Sequence, residues 1–220
     1  MRYLAQVVVG LGSLTAVSCA SDGASSSPTS ESPEETRGGT AGSTSLTLQG
    51  DSLTVEVPSD WTTVEGTSYT IPGVPPIGPG AIVSSDPAAW STDWAVPGAF
   101  IAATTDLADL VGTTGLDREG ASGLGERLTA LAEWHGAIDR SSECDRAGAS
   151  SFDSDDGTLT GFTTIWENCG VAGATLLDTA AVSEDGSVIL VVQATGVTEA
   201  EVAAAERVLE TVIVDQDAVV

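Results

Sequence analysis

Beyond residue 46 the spacing of apolar positions shifts repeatedly between two and three to four, the periods of strand and helix. Leu53, Val55 and Val57 alternate with polar neighbours, so 53–57 reads as a strand that Pro58 closes. Apolar or alternating runs at 46–48, 98–103, 159–167, 174–182 and 188–195 predict further strands. Glu184, Asp185 and Gly186 separate the last two, and an Asp-Gly pair suits a tight hairpin. Leu124, Leu128 and Leu131 recur at helical spacing up to Trp134, and that helix is expected to end at Gly136. Between Ser85 and Trp94, the stretch DPAAWSTDW predicts a short helix with Trp90 and Trp94 four apart on one face. Thr198 followed by Glu201 forms a capping box ahead of Val202, Ala205, Val208, Leu209 and Val212, a stripe expected to lie on a sheet. A chain that ends strand, hairpin, helix implies an antiparallel β-sheet flanked by helices, an α+β layer architecture over residues 46–220.

Before residue 46 the pattern is different. An uncharged apolar run from Leu4 to Val17 follows Arg2 and leads through small residues to Cys19. At about 14 residues it is shorter than the roughly 20 that cross a bilayer as a helix, so residues 1–18 read as a removable export signal and Cys19 as a lipid acceptor. A thioether-linked diacylglycerol at that sulfur, with the two or three acyl chains of a mature lipoprotein, would anchor the chain stably where one chain would not. The membrane is then a partner through the lipid, and the expected location is the outer face of the cell membrane. Residues 19–45 are rich in Ser, Thr, Gly, Pro and Glu with scarcely an apolar side chain, a composition that cannot offset the entropy of ordering. They read as a flexible tether holding the folded part roughly 25–30 Å from the lipid.

Charge narrows the choice of partner. The chain has a formal net charge of −25 at pH 7, and its seven basic residues are all arginine. Repulsion on that scale argues against nucleic acid and anionic head groups, and favours cationic partners, metal ions or simple solubility.

After Cys19 the remaining cysteines are Cys144 and Cys169, and in an exported chain they are expected to pair. Closing that loop contributes roughly 3 kcal/mol in the chain-entropy account. Two strand-like runs, near 149–152 and 159–166, flank Asp-Ser-Asp-Asp-Gly between them, so a hairpin with the disulfide across its open ends satisfies the spacing. The stretch from Cys144 through Gly161, Phe162 and Trp166 to Cys169-Gly170 resembles a module of actinobacterial exported proteins. That module occurs both as small lipoproteins and appended to trypsin-like serine proteases. The opening LTVEVPSDW at Leu53–Trp61 fits the same group. Together with the hairpin ending, it is also similar to PsbP-like lipoproteins, whose fold is an antiparallel sheet flanked by helices. Arg146 and Ser150 stand where aromatic residues are more usual in the module.

No catalytic set accompanies the resemblance. The single histidine, His135, sits at the predicted end of a helix, where its charge complements the dipole. No nucleophile elbow, phosphate-cradling glycine motif or histidine-rich metal pattern is present. Asp153, Asp155 and Asp156 before Gly157 offer oxygens for weak calcium binding, but Asp-Asp-Gly is also what a hairpin turn requires. Trp90, Trp94, Trp134 and Trp166, with the Pro-rich stretch 71–80, are candidates to line a groove for a peptide or glycan, against the simpler reading that they fill the core. The expectation is a non-catalytic, cofactor-free envelope module that binds an envelope protein, peptide or glycan; an envelope hydrolase using carboxylates is the alternative.

Overall fold

The computed structural model describes residues 42–69, 77–105 and 124–219. Its strands are β1 (Ser43–Leu48), β2 (Leu53–Pro58), β3 (Thr62–Tyr69), β4 (Ile77–Ser84), β5 (Gly98–Thr104), β6 (Asp145–Asp153), β7 (Leu159–Cys169), β8 (Ala174–Ser183), β9 (Ile189–Gly196) and β10 (Ile213–Val214). Its helices are α1 (Pro87–Trp90), α2 (Leu124–Ala137) and α3 (Glu199–Thr211). Seven strands form one sheet in the order β3-β4-β5-β9-β8-β7-β6, and β1-β2-β10 form a second. Every pairing is antiparallel, and the fold is α+β.

Burial explains which strands were plain in the sequence. β8 and β9 lie mid-sheet and are covered on both faces, so they read as continuous apolar runs. β6 is an edge strand, exposed at most positions, and its polar sequence follows from that. On one face of the large sheet, α3 and the small sheet bury Leu53, Val55, Ile101, Leu190, Val192, Val208 and Leu209 in an almost wholly apolar core. On the other, α1 and α2 cover Phe100, Leu131, Trp134, Ala180 and Val191. The Thr198 capping box is formed in both directions, and Ala205, Val208 and Leu209 are the buried stripe of α3.

Several boundaries differ from expectation. β1 begins at Ser43, three residues before the expected domain start. β3, β4 and β10 have no counterpart in the apolar pattern: β3 carries a bulge at Gly66, and β4 starts inside the Gly/Pro-rich stretch. Gly80 is confined there because an added Cβ would lie 2.6 Å from the Phe100 ring. α1 is a single turn, capped by the Asp86 carboxylate on the amides of Ala88 and Ala89, so Trp94 lies beyond it and does not share a helical face with Trp90. The export signal, Cys19 and most of the tether fall outside the described residues, as do residues 70–76.

Candidate functional site

Among the described residues, the sheet face beneath α2 gathers a buried cluster of polar and charged side chains. Asp178 interrupts the apolar run of β8, and Gln193 stands directly opposite it on β9. Gln193 Nε2 donates to Asp178 Oδ1 at 3.0 Å. The last turn of α2 brings His135 onto the same strand, where its Nε2 is 2.8 Å from the Asp178 backbone oxygen and 3.9 Å from Oδ1. A carbonyl oxygen only accepts, so Nε2 carries the proton of that contact. The turn after α2 adds Arg140, whose Nε lies 3.7 Å from Asp178 Oδ2. Glu143 and Cys144 both donate backbone amides to the Arg140 carbonyl, and this fixes the turn. All four side chains are buried, Asp178 and Gln193 almost completely.

Histidine beside a carboxylate looks like a base with its orienter, but the geometry does not deliver that role. The ring nitrogen nearest Asp178 is committed to a backbone carbonyl, and among the described residues no hydroxyl or thiol bonds to His135. The cluster holds the end of α2 onto the sheet. Its cost is visible in Arg140 Nε and Nη2, Asp178 Oδ2 and Gln193 Oε1, which are enclosed without a hydrogen bond. Such an ion pair adds little net stability, yet removing one partner leaves a buried charge uncompensated. Asp178 and Gln193 were missed by sequence reasoning, although each was the sole charged or amide side chain in an apolar strand and thus a readable signal.

The Arg140 guanidinium lies over the Trp94 ring at 5.9 Å, and Trp94 in turn occupies the space above Gly170 that a side chain there would need. Gly170 follows Cys169, which is disulfide-bonded to Cys144 with a Cα separation of 4.2 Å. The bridge therefore spans the open ends of the β6–β7 hairpin and clamps the turn that presents Arg140.

Three of the four tryptophans are buried. Trp90 is buried and donates through Nε1 to Thr195 Oγ1 at 2.8 Å; Trp134, on α2, is buried in the same cluster. Trp166 is buried against the disulfide, with Arg146 over its ring at 6.0 Å. Only Trp94 is half-exposed. The buried three add their apolar area to the core.

The acidic hairpin tip is likewise committed to its own turn. Asp156 Oδ1 accepts from Ser154 Oγ at 2.6 Å, Thr158 Oγ1 at 2.8 Å and Thr158 N at 3.0 Å. The β8–β9 turn repeats the arrangement, with Asp185 Oδ1 accepting from Ser183 Oγ at 2.6 Å, Ser187 Oγ at 2.7 Å and Ser187 N at 2.9 Å. Both are Ser-acid-Asp-Gly-Ser/Thr loops, side by side because Leu159 pairs with Ser183. Partial burial pushes the Asp156 carboxyl up, but the bonds from Ser154 and Thr158 outweigh it and hold it below the usual carboxylate range. Among the described residues no three His, Cys, Asp or Glu side chains are placed to hold a metal ion.

An open concavity lies at the end of the large sheet where β3, β4 and β5 meet the β1–β2 turn. It has a volume of about 290 Å³ and is lined by Gln49, Glu65, Gly66, Pro79, Gly80 and Ala103 among others. Gln49 builds it: Nε2 donates to the Pro79 carbonyl at 2.7 Å, and Oε1 accepts from the Ala103 amide at 2.9 Å. This one side chain ties the small sheet to two strands of the large one. Glu65 Oε2 accepts from the Gln49 amide at 3.2 Å, and the Glu65 side chain is exposed at the mouth.

A scan against protein-family profiles and a search of curated proteins find no match. The fold is similar to a solved structure, cyanobacterial PsbP (CyanoP) from Synechocystis sp. PCC 6803. The TM-score is 0.39 at 12% identity, covering 81% of this chain and 95% of that one.

Proposed function

We propose that this protein is a lipid-tethered, non-catalytic module of the cell envelope that binds a partner at the Gln49 pocket. The observation that carries the reading is a difference in access. His135, Arg140 and Asp178 are shut beneath α2, whereas the pocket at the sheet end opens to solvent between exposed Glu65, Gly66 and Pro79. Hydrolysis by paired carboxylates needs two acids converging on a substrate, and among the described residues Glu65 is the one carboxylate lining the pocket. Tethering rests on the apolar run that ends at Cys19 and on the polar stretch after it. The β6–β7 disulfide hairpin supports export, since such bridges persist in oxidising compartments. As in the actinobacterial module that the hairpin resembles, the role is that of an accessory domain.

Expression of the full chain in a bacterium that matures lipoproteins tests the tether. Fed labelled palmitate, the wild type incorporates label, fractionates with the membrane and begins at an acylated Cys19, while Cys19→Ala is released unlabelled. An unprocessed amino terminus without added acyl mass would overturn the proposal.

A further inference from the structure

Three irregularities of the backbone meet at the pocket. Gln49 and Asp51, neither of them glycine, adopt φ of 52° and 77° in the turn that closes it. Side chains seldom occupy that region, and where they do the surrounding structure must hold them there. Here the holding contacts are the two side-chain bonds of Gln49 to Pro79 and Ala103. On the opposite wall the register of β3 shifts between Glu65 and Thr67, with Gly66 at φ 70°. A bulge of this kind re-aims the side chain beside it, and that side chain is Glu65.

The chemistry of the walls selects a ligand. At about 290 Å³ the pocket stands at the small end of ligand sites, the size for one side chain rather than a cofactor. Gly80 and Ala103 are buried and offer an apolar wall, and the Glu65 carboxylate stands exposed at the rim. An apolar stem with a cationic head fits that order of surfaces. The chain's net charge of −25 draws such a group in from a distance. Resting on the binding-module reading above, we infer that the Gln49 pocket receives a lysine or arginine side chain of an envelope partner. The Glu65 carboxylate meets the charged head, and the aliphatic stem lies along Gly80 and Ala103.

The test is an amide NMR titration of the otherwise full-length chain carrying Cys19→Ala, with N-acetyl-lysine methylamide as the probe and its uncharged Nε-acetylated analogue as the comparison. The expected result is a saturable shift centred on Gly66, Gly80 and Ala103. Affinity falls roughly fivefold for the uncharged analogue or in Glu65→Gln, the effect of losing one partly exposed ion pair. Glu184→Gln removes an exposed acid from the β8–β9 turn and leaves binding unchanged. The inference is overturned by equal responses to the two probes, by an unaltered response in Glu65→Gln, by shifts centred on the acidic turns, or by no saturable shift at all. The titration does not depend on the lipid, so a chain lacking acyl mass would sink the tether and leave this result standing.

Discussion

The two faces of the large sheet solve the same packing problem in different ways. Under α3 the interface is almost wholly apolar, a meeting of Leu190, Val192, Val208 and Leu209 with the small sheet. Under α2 the apolar set of Phe100, Leu131, Trp134 and Val191 is interrupted by Asp178, Gln193, His135 and Arg140. An apolar face tolerates any filling of suitable volume, because dispersion and the hydrophobic effect carry no direction. A face with one carboxylate accepts only the arrangement that answers it. The polar face therefore fixes where the end of α2 and the Arg140 turn must sit, and the disulfide holds that turn from its other end.

Breaking the polar face should have the largest effect. Arg140→Met strands the Asp178 carboxylate in the interior and is expected to cost about 3–5 kcal/mol in urea unfolding. Adding Asp178→Leu in the same chain should recover a good part of that loss, since the stranded charge disappears with its partner. A single variant costing under about 1 kcal/mol would show that the two faces do not differ in kind.

On the apolar face, Leu190→Ala should cost about 3 kcal/mol, the usual transfer and cavity loss for a fully buried leucine. Unlike the arginine loss, it has no charged partner whose removal restores stability. Rescue by enlarging a neighbour such as Ala181, which lies directly opposite Leu190 on β8, would sharpen the contrast, because volume alone is then decisive.

The turns give the smallest effect and a pH signature. The Asp156 carboxyl titrates below the ordinary carboxylate value of 3.8, so its contribution is present above that value and disappears as pH falls through the lowered one. Asp156→Asn should lower the melting temperature slightly at pH 7, and the two proteins should converge as pH falls from about 3.8 through the lowered value. A difference that persists unchanged at pH 2.5 would mean the charge of Asp156 is irrelevant to the turn.

Legibility in the sequence followed locality. The α3 cap could be read because Thr198 and Glu201 answer each other three residues apart. The β6–β7 hairpin could be read because cysteines, glycine and turn acids lie within one short stretch. β3 and β4 could not, because Gly66 serves the positive φ of a bulge and Gly80 the close approach of the Phe100 ring, and both weaken the local strand pattern in doing so. The site was harder still. Gln49 looks like an ordinary turn residue until Pro79 and Ala103, 30 and 54 positions away, close on its amide. His135 was placed correctly at the end of a helix, yet its partner lies 43 residues further along the chain. The sequence left the tryptophans open between core and groove, because an aromatic cluster in sequence does not say which side of a sheet it faces.

The central claim is that the chemically capable groups are sealed for structure while binding takes place elsewhere, and the chain's single histidine allows a direct measurement. Diethyl pyrocarbonate labels accessible imidazole. In the native protein His135, 7% exposed, should react at the rate of global unfolding and become labelled in step with added urea. Modification of the folded protein at a rate approaching that of free imidazole would contradict the account, and would return the His135–Asp178 pair to the list of catalytic candidates.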